Sequence, residues 1–274
     1  PGLAGLLEGS AFLAARVGMK QNEEFGTFTT AILKQLLPGY LAPVPAAALL
    51  QAEPDFRQPD LAQGKRFAPG GYLDAAYRER DQRVSCRFRL AAPLELWPLE
   101  LDQAAYFTSP APLQALRLEV SQGTVAGLRL RLVRRTGPGT PDPDADIVPN
   151  AKPPPPVGDL ARAGLDNLPV HLHGPMAAMT GLYEQIFARS TKLTLRWLDT
   201  QGDPVFARCP PGLVRQLGFD EDESFFPEEG RLFRGFALLR EFHMLPQKFL
   251  GFRLSGLAAL LEPVTAPACD LLFE

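Results

Sequence analysis

The sequence is poor in the residues that usually carry chemistry. Its 274 residues include three His, three Cys and two Trp. Cys86, Cys209 and Cys269 are odd in number, far apart and never in a C-x-x-C arrangement, which argues against a structural zinc site. They read as reduced core residues of a cytosolic protein, where disulfides are rare. No apolar run approaches the ~18 residues a membrane span needs. The opening residues also lack the basic segment of a signal peptide, so a cytoplasmic protein with no membrane insertion is expected. An excess of positive charge is missing too. Residues 1–150 hold 16 basic and 16 acidic side chains, and residues 151–274 hold 12 and 15, which excludes the basic footprint of a nucleic-acid binder. The length suits one or two domains and a core large enough to need no disulfide or metal staple.

Catalytic motifs are likewise scarce. Gly64-Lys65 lacks both the earlier glycine and the following Ser or Thr of a phosphate-binding loop. No G-x-S-x-G elbow offers a nucleophilic serine. His171 and His173 lie two apart on a predicted strand, a spacing that suits two metal ligands, but no third ligand is prepared nearby in sequence. Their ordinary reading is a polar face opposite Val170 and Leu172; the alternative function is a β-rich metal- or ligand-binding or hydrolytic module built on them. The acidic run at 219–224, "FDEDES", fails the alternation, the glycine and the terminal Glu of a calcium loop, and reads as a solvated cluster leading into a helix. The expectation is no catalytic residue, no cofactor, no metal and no enzymatic activity.

What the sequence does have is apolar patterning. Residues 1–48 form a helical region: Leu3, Leu6, Leu7, Leu13 and Val17 make one stripe, and Phe25, Phe28, Ile32, Leu33 and Leu36 a second, ended by Pro38. From 49 to 136 the period becomes two. "VSCRFRL" at 84–90 alternates as a half-buried antiparallel strand, "LELWPLEL" at 94–101 alternates with a phase shift at Pro98, and 116–120 and 128–132 read as further strands. A β-sandwich or barrel-like region is expected there. Residues 137–158 hold eight Pro and three Gly in 22 positions and read as an exposed loop. Residues 159–274 read as a mixed α+β domain, with strands at 168–173 and 193–198, helices near 174–190, 210–217 and 233–245, and a strand after Pro246. The fold class is thus α+β. On the last helix Phe236, Leu239 and Phe242 share a face and are expected in the core, whereas Phe249 faces away from Leu250 and Phe252 as a candidate contact.

Six blocks, "LLEGSAFLAARV" (6–17), "LPGYLAPVP" (37–45), "CRFRLAAPLELWPLEL" (86–101), "GLYEQIF" (181–187), "GFDEDESFFP" (218–227) and "FRGFALLREFHMLPQKFLGFRLSGL" (233–257), occur in an order that resembles the TssF (ImpG/VasA) family, baseplate wedge subunits of the bacterial type VI secretion system. The resemblance covers essentially the whole chain. It implies a non-enzymatic scaffold that pairs as two TssF copies with one TssG and joins TssE and TssK around the VgrG spike hub. That assembly docks at the inner-membrane complex of a Gram-negative bacterium and primes polymerisation of the sheath. Within this scheme Phe12, Phe25 and Phe28 are expected in an inter-subunit helical bundle, with Phe249 as a further partner contact. The chain opens inside its first helix and stops short of the family's C-terminal portion, so it is expected to be a piece of a longer protein.

Overall fold

The computed structural model describes residues 2–37, 40–41, 43–56, 58–79, 82–135, 159–226 and 234–274. The Pro-rich run at 137–158 lies outside the described residues. The fold is α+β. Its helices are α1 (Gly2–Leu36), α2 (Ala111–Ala115), α3 (Met176–Glu184), α4 (Arg234–Met244) and α5 (Leu257–Leu261). Its strands are β1 (Lys65–Phe67), β2 (Tyr72–Glu79), β3 (Gln82–Arg89), β4 (Leu94–Leu96), β5 (Leu99–Phe107), β6 (Gly127–Arg134), β7 (Asn167–His171), β8 (Leu193–Leu198), β9 (Pro204–Arg208), β10 (Val214–Gln216), β11 (Gly251–Ser255) and β12 (Ala268–Phe273). These elements fall into two compact units, residues 1–47 with 226–244, and residues 48–225 with 245–274.

In the first unit both N-terminal stripes lie on one continuous 35-residue helix. No proline interrupts it, and Gly18 and Gly26 each cost only about 1 kcal/mol relative to Ala. Lys34 sits in its last turn, where a cation complements the helix dipole. The same unit holds α4, whose Phe236 ring lies 5.7 Å from that of Tyr40, while Arg240 covers the ring of Phe226 at 4.4 Å. The core expected at Phe236, Leu239 and Phe242 is not found. Phe236 is half-buried and Leu239 and Phe242 are exposed, because α4 turns inward the side that carries the fully buried Glu241.

The second unit is organised by a five-stranded antiparallel sheet in the order β5-β6-β12-β8-β9. Alternation along β6, β8 and β12 sends Leu128, Leu130, Leu132, Leu195, Trp197, Leu271 and Phe273 to one face. There they meet Phe252 and Leu254 of a second sheet, β10-β11-β7, together with Ile186, Leu257 and Leu261 from the helical segments. Gly251 lets these strands close up, since a Cβ there would stand 2.6 Å from the Val170 carbonyl oxygen. The opposite face of the large sheet holds a smaller cluster in which Leu272 packs on Leu113 and Leu118.

Three local expectations are corrected. Residues 116–120 are not a strand, because Arg117 adopts φ 63°, a left-handed conformation that ends extension. The helix expected near 210–217 is a turn through Pro210, Pro211 and Gly212 (φ 87°) followed by β10, which pairs with β11. No closed barrel forms among the described residues in the 49–136 stretch. Instead β1 pairs with β4, β2 pairs with β3, and β5 and β6 join the large sheet. Pro98 explains the division: lacking an N–H, it separates β4 from β5 and lets them enter different sheets.

Candidate interaction surfaces

The polar groups of the sheet are arranged for stability. Asp270 on β12 is almost fully buried and lies opposite Arg131 and Arg196. Arg129 Nε donates to its Oδ1 at 2.8 Å, Arg196 Nη1 donates to its Oδ2 at 2.7 Å, and Arg131 Nη1 stands 3.6 Å away. Arg196 Nε also donates to the Leu116 carbonyl at 3.1 Å, tying the loop after α2 to the sheet. Glu274 Oε2 accepts from the Ser121 N–H at 2.7 Å, and Lys192 Nζ lies 3.1 Å from its other oxygen. Burial pulls the Glu274 pKa up, but the Ser121 hydrogen bonds and Lys192 outweigh it and hold the carboxyl below its ordinary value. Arg134 donates to the carbonyls of Asp159 (2.6 Å) and Ala62 (3.0 Å), and desolvation by burial lowers its pKa.

The acidic turn is more than a solvated cluster. Glu223 is buried, and its Oε2 accepts from the N–H groups of Gly218 (2.7 Å) and Asp220 (3.1 Å). Its Oε1 receives an Arg253 guanidinium N–H from β11. The turn is therefore pinned to the second sheet. Nothing in "FDEDES" marks one carboxylate as different from its neighbours; the distinguishing partner, Arg253, is 30 residues away.

The sequence-selected residues separate sharply. His171 ends β7 and His173 follows it; both are exposed. Protein atoms around His171 nonetheless desolvate the imidazole and push its pKa down. Among the described residues no group of three or more His, Cys, Asp or Glu is placed to hold a metal, so no third ligand joins this pair. Cys209 and Cys269 are buried, with thiols pushed by desolvation up to about 11 and about 12, whereas Cys86 is exposed. The core placement expected of Cys86 is thus corrected: its strand belongs to a two-stranded sheet, and among the described residues the Cys86 side chain is left exposed.

Phe249 is also corrected. It lies on a 3-10 turn rather than a strand and is only 5% exposed, against Phe219 at 5.0 Å between ring centres and beneath Lys248. It serves the interior. Phe12, Phe25 and Phe28 present the opposite picture, at 66, 66 and 59% exposure on a helix with no buried residue. Leu3, Leu6, Leu7, Leu13 and Val17 are exposed beside them. An apolar helix of about 52 Å is a much larger greasy surface than soluble monomers usually leave uncovered. An apolar pocket of about 380 Å³ also opens at one end of the large sheet, between Tyr106, Val125, Leu182, Ile186 and Phe273. The one carboxylate among its lining side chains, Glu274, is committed to Ser121 and Lys192.

Among the described residues no helix is long and apolar enough to cross a membrane. A family model described as type VI secretion system, TssF, matches residues 1–274. The curated type VI secretion system component TssF1 of Pseudomonas aeruginosa is 36% identical over 258 residues, which is 94% of this chain and 38% of that protein. A chain of the TssK-TssF-TssG baseplate subcomplex, solved by cryo-electron microscopy, superposes with a TM-score of 0.66 at 20% identity, over 99% of this chain and 44% of that one. The chain therefore spans less than half the length of either relative. The six ordered sequence blocks and a match that runs from the first residue to the last lead to one conclusion: the chain belongs to the TssF family of the type VI secretion system.

Proposed function

We propose that this chain is the scaffold portion of a baseplate wedge subunit, a structural and non-enzymatic part of a bacterial type VI secretion machine. It assembles with TssG and a second TssF copy. The resulting wedge joins TssK and TssE around the VgrG hub and supports polymerisation of the sheath. The work is done in the cytoplasm, docked at the inner-membrane complex. What supports the reading most is α1, whose apolar side chains are left unburied among the described residues. Obligate assemblies bury roughly 2,000–5,000 Å² and resemble a core cut in half, and a bare amphipathic helix is half of such a core. Phe12, Phe25 and Phe28 are assigned to the inter-subunit bundle; the Phe25 and Phe28 rings already pair at 6.4 Å on the helix surface. Phe249 is not part of this proposal, since it is buried.

Co-expression of the full-length protein with its cognate TssG tests the reading. A stable complex on size exclusion is expected. Full-length protein that remains monomeric beside TssG overturns it. Charged replacements, Phe12→Glu or Phe28→Glu, are expected to prevent the complex while leaving the thermal unfolding of the isolated protein unchanged.

A further inference from the structure

The ribbon formed by β2 and β3 is a sheet of its own. Its register sets Leu73 opposite Phe88 and Ala75 opposite Cys86 on one face, and Tyr72 opposite Arg89 and Asp74 opposite Arg87 on the other. Among the described side chains both faces are largely open: Tyr72 is 70% exposed and Leu73 41%, Ala75 and Cys86 are exposed with them, and Phe88 is half-buried. A lone two-stranded ribbon is marginal in water, and an alternation of apolar residues gains little while the apolar face stays wet. The polar face is already organised. Arg87 donates to both Asp74 oxygens, at 2.7 and 3.2 Å, and its guanidinium lies 5.6 Å from the centre of the Tyr72 ring.

Two quantities narrow what covers it. Residues 65–95 hold seven basic and four acidic side chains in a chain whose net charge is −3, so the ribbon and its flanks are a basic region on an acidic protein. The area is the second. Eight residues per strand give a ribbon about 27 Å long and about 10 Å wide. Two copies stacked face to face would remove only about 540 Å², far below the roughly 1,200–2,000 Å² of a stable interface. A groove that covers both faces and both edges removes roughly 800 Å² from the ribbon and a similar area from itself, which reaches that range.

We propose that the β2–β3 ribbon is a docking arm that inserts into an acidic, apolar-lined groove on a partner polypeptide of the assembly. Leu73 and Phe88 fill the apolar wall, and Arg87 and Arg89 meet carboxylates on the other. Arginine ribbons also enter DNA grooves, but Leu73, Ala75 and Phe88 would have no counterpart there. The inference rests on the baseplate reading above, and its test separates the two.

Cys86 reports on the arm, because Cys209 and Cys269 are buried with raised thiol pKa values and react slowly with maleimides. Full-length protein, alone and in complex with co-expressed TssG and TssK, is treated with N-ethylmaleimide, and Cys86 modification is followed by mass spectrometry. At least tenfold slower labelling in the complex is expected. The double variant Leu73→Glu, Arg89→Glu is expected to weaken the complex at least tenfold, more so as salt is lowered, with an unchanged unfolding temperature. A complex that forms while Cys86 labels at the free rate sinks the arm and leaves the baseplate reading standing. Failure of any complex to form sinks both. Protection by duplex DNA, or by concentrating the protein alone to about 100 µM, would also overturn the assigned occupant.

Discussion

The helix α1 and the strand β12 are built from the same aliphatic residues and meet opposite fates. All of α1 is without a buried residue, whereas Cys269, Asp270, Leu271, Leu272 and Phe273 of β12 are each less than 5% exposed. The strand has neighbours on both edges and a packed layer on both faces, so its own chain completes it. The helix satisfies its backbone internally, and among the described residues its apolar stripe stays bare. The difference teaches how an assembly subunit divides its hydrophobic side chains. Under the wedge function proposed above, the apolar side chains of the large sheet fold the subunit and those of the long helix serve to join subunits.

Substitutions can break that comparison, beginning with the most damaging. Asp270→Ala leaves the largely buried Arg129 and Arg196 without their carboxylate in the second unit, while Arg131 keeps Asp102 at 3.3 Å. A loss of about 3–5 kcal/mol, read by urea unfolding, is expected for an uncompensated buried charge cluster. Leu254→Ala, at a fully buried position of β11, is expected to cost about 2–5 kcal/mol in the same assay, according to how far the cavity collapses. Glu223→Gln removes the charge that holds two backbone N–H groups and Arg253, and should cost about 1.5–3 kcal/mol. Phe28→Glu on α1 is expected to change isolated-chain stability by less than about 0.5 kcal/mol while abolishing association. An α1 substitution as costly as Leu254→Ala would erase the distinction between the two regions.

A pH series sharpens it. The folded-state Glu274 pKa is depressed, so its contribution is fully present above the ordinary glutamate value and is lost as pH falls through that value toward the folded one. His171 works in the same pH direction by the opposite logic. Its imidazole is disfavoured as a cation in the fold, so stability declines as pH drops below the ordinary histidine value of about 6.5. Unfolding midpoints followed from pH 7 downward in the wild type and in Glu274→Gln should converge at the acid end. Parallel curves would show that the carboxylate does not titrate with folding.

The legible part of the sequence was the part whose order is local. The strands at 168–173 and 193–198, the helix α4 and the return to strand after Pro246 followed from periodicity, with edges within a few residues. Pro98 was legible as a disturbance, but not as a switch between sheets. The failures share a cause. Residues 116–120 and 210–217 have apolar patterns compatible with several structures, and a single left-handed φ at Arg117 or Gly212 decided between them. Leu239 and Phe242 sit on a good apolar face, yet which face turns inward depends on what the helix packs against. Glu223 and Asp270 looked like ordinary acids because their arginines are distant in the chain.

Alone, the sequence determined the family, the α+β class, the apolar character of the first helix and the scarcity of catalytic groups, because each is a property of composition or of short-range spacing. Only the tertiary structure decided that Asp270 anchors three arginines, that Phe249 is interior, that Cys86 lies on an exposed ribbon and that α1 stands uncovered among the described residues. Burial is a relation between segments far apart in the chain, and no periodicity records which of two apolar faces its own molecule will cover.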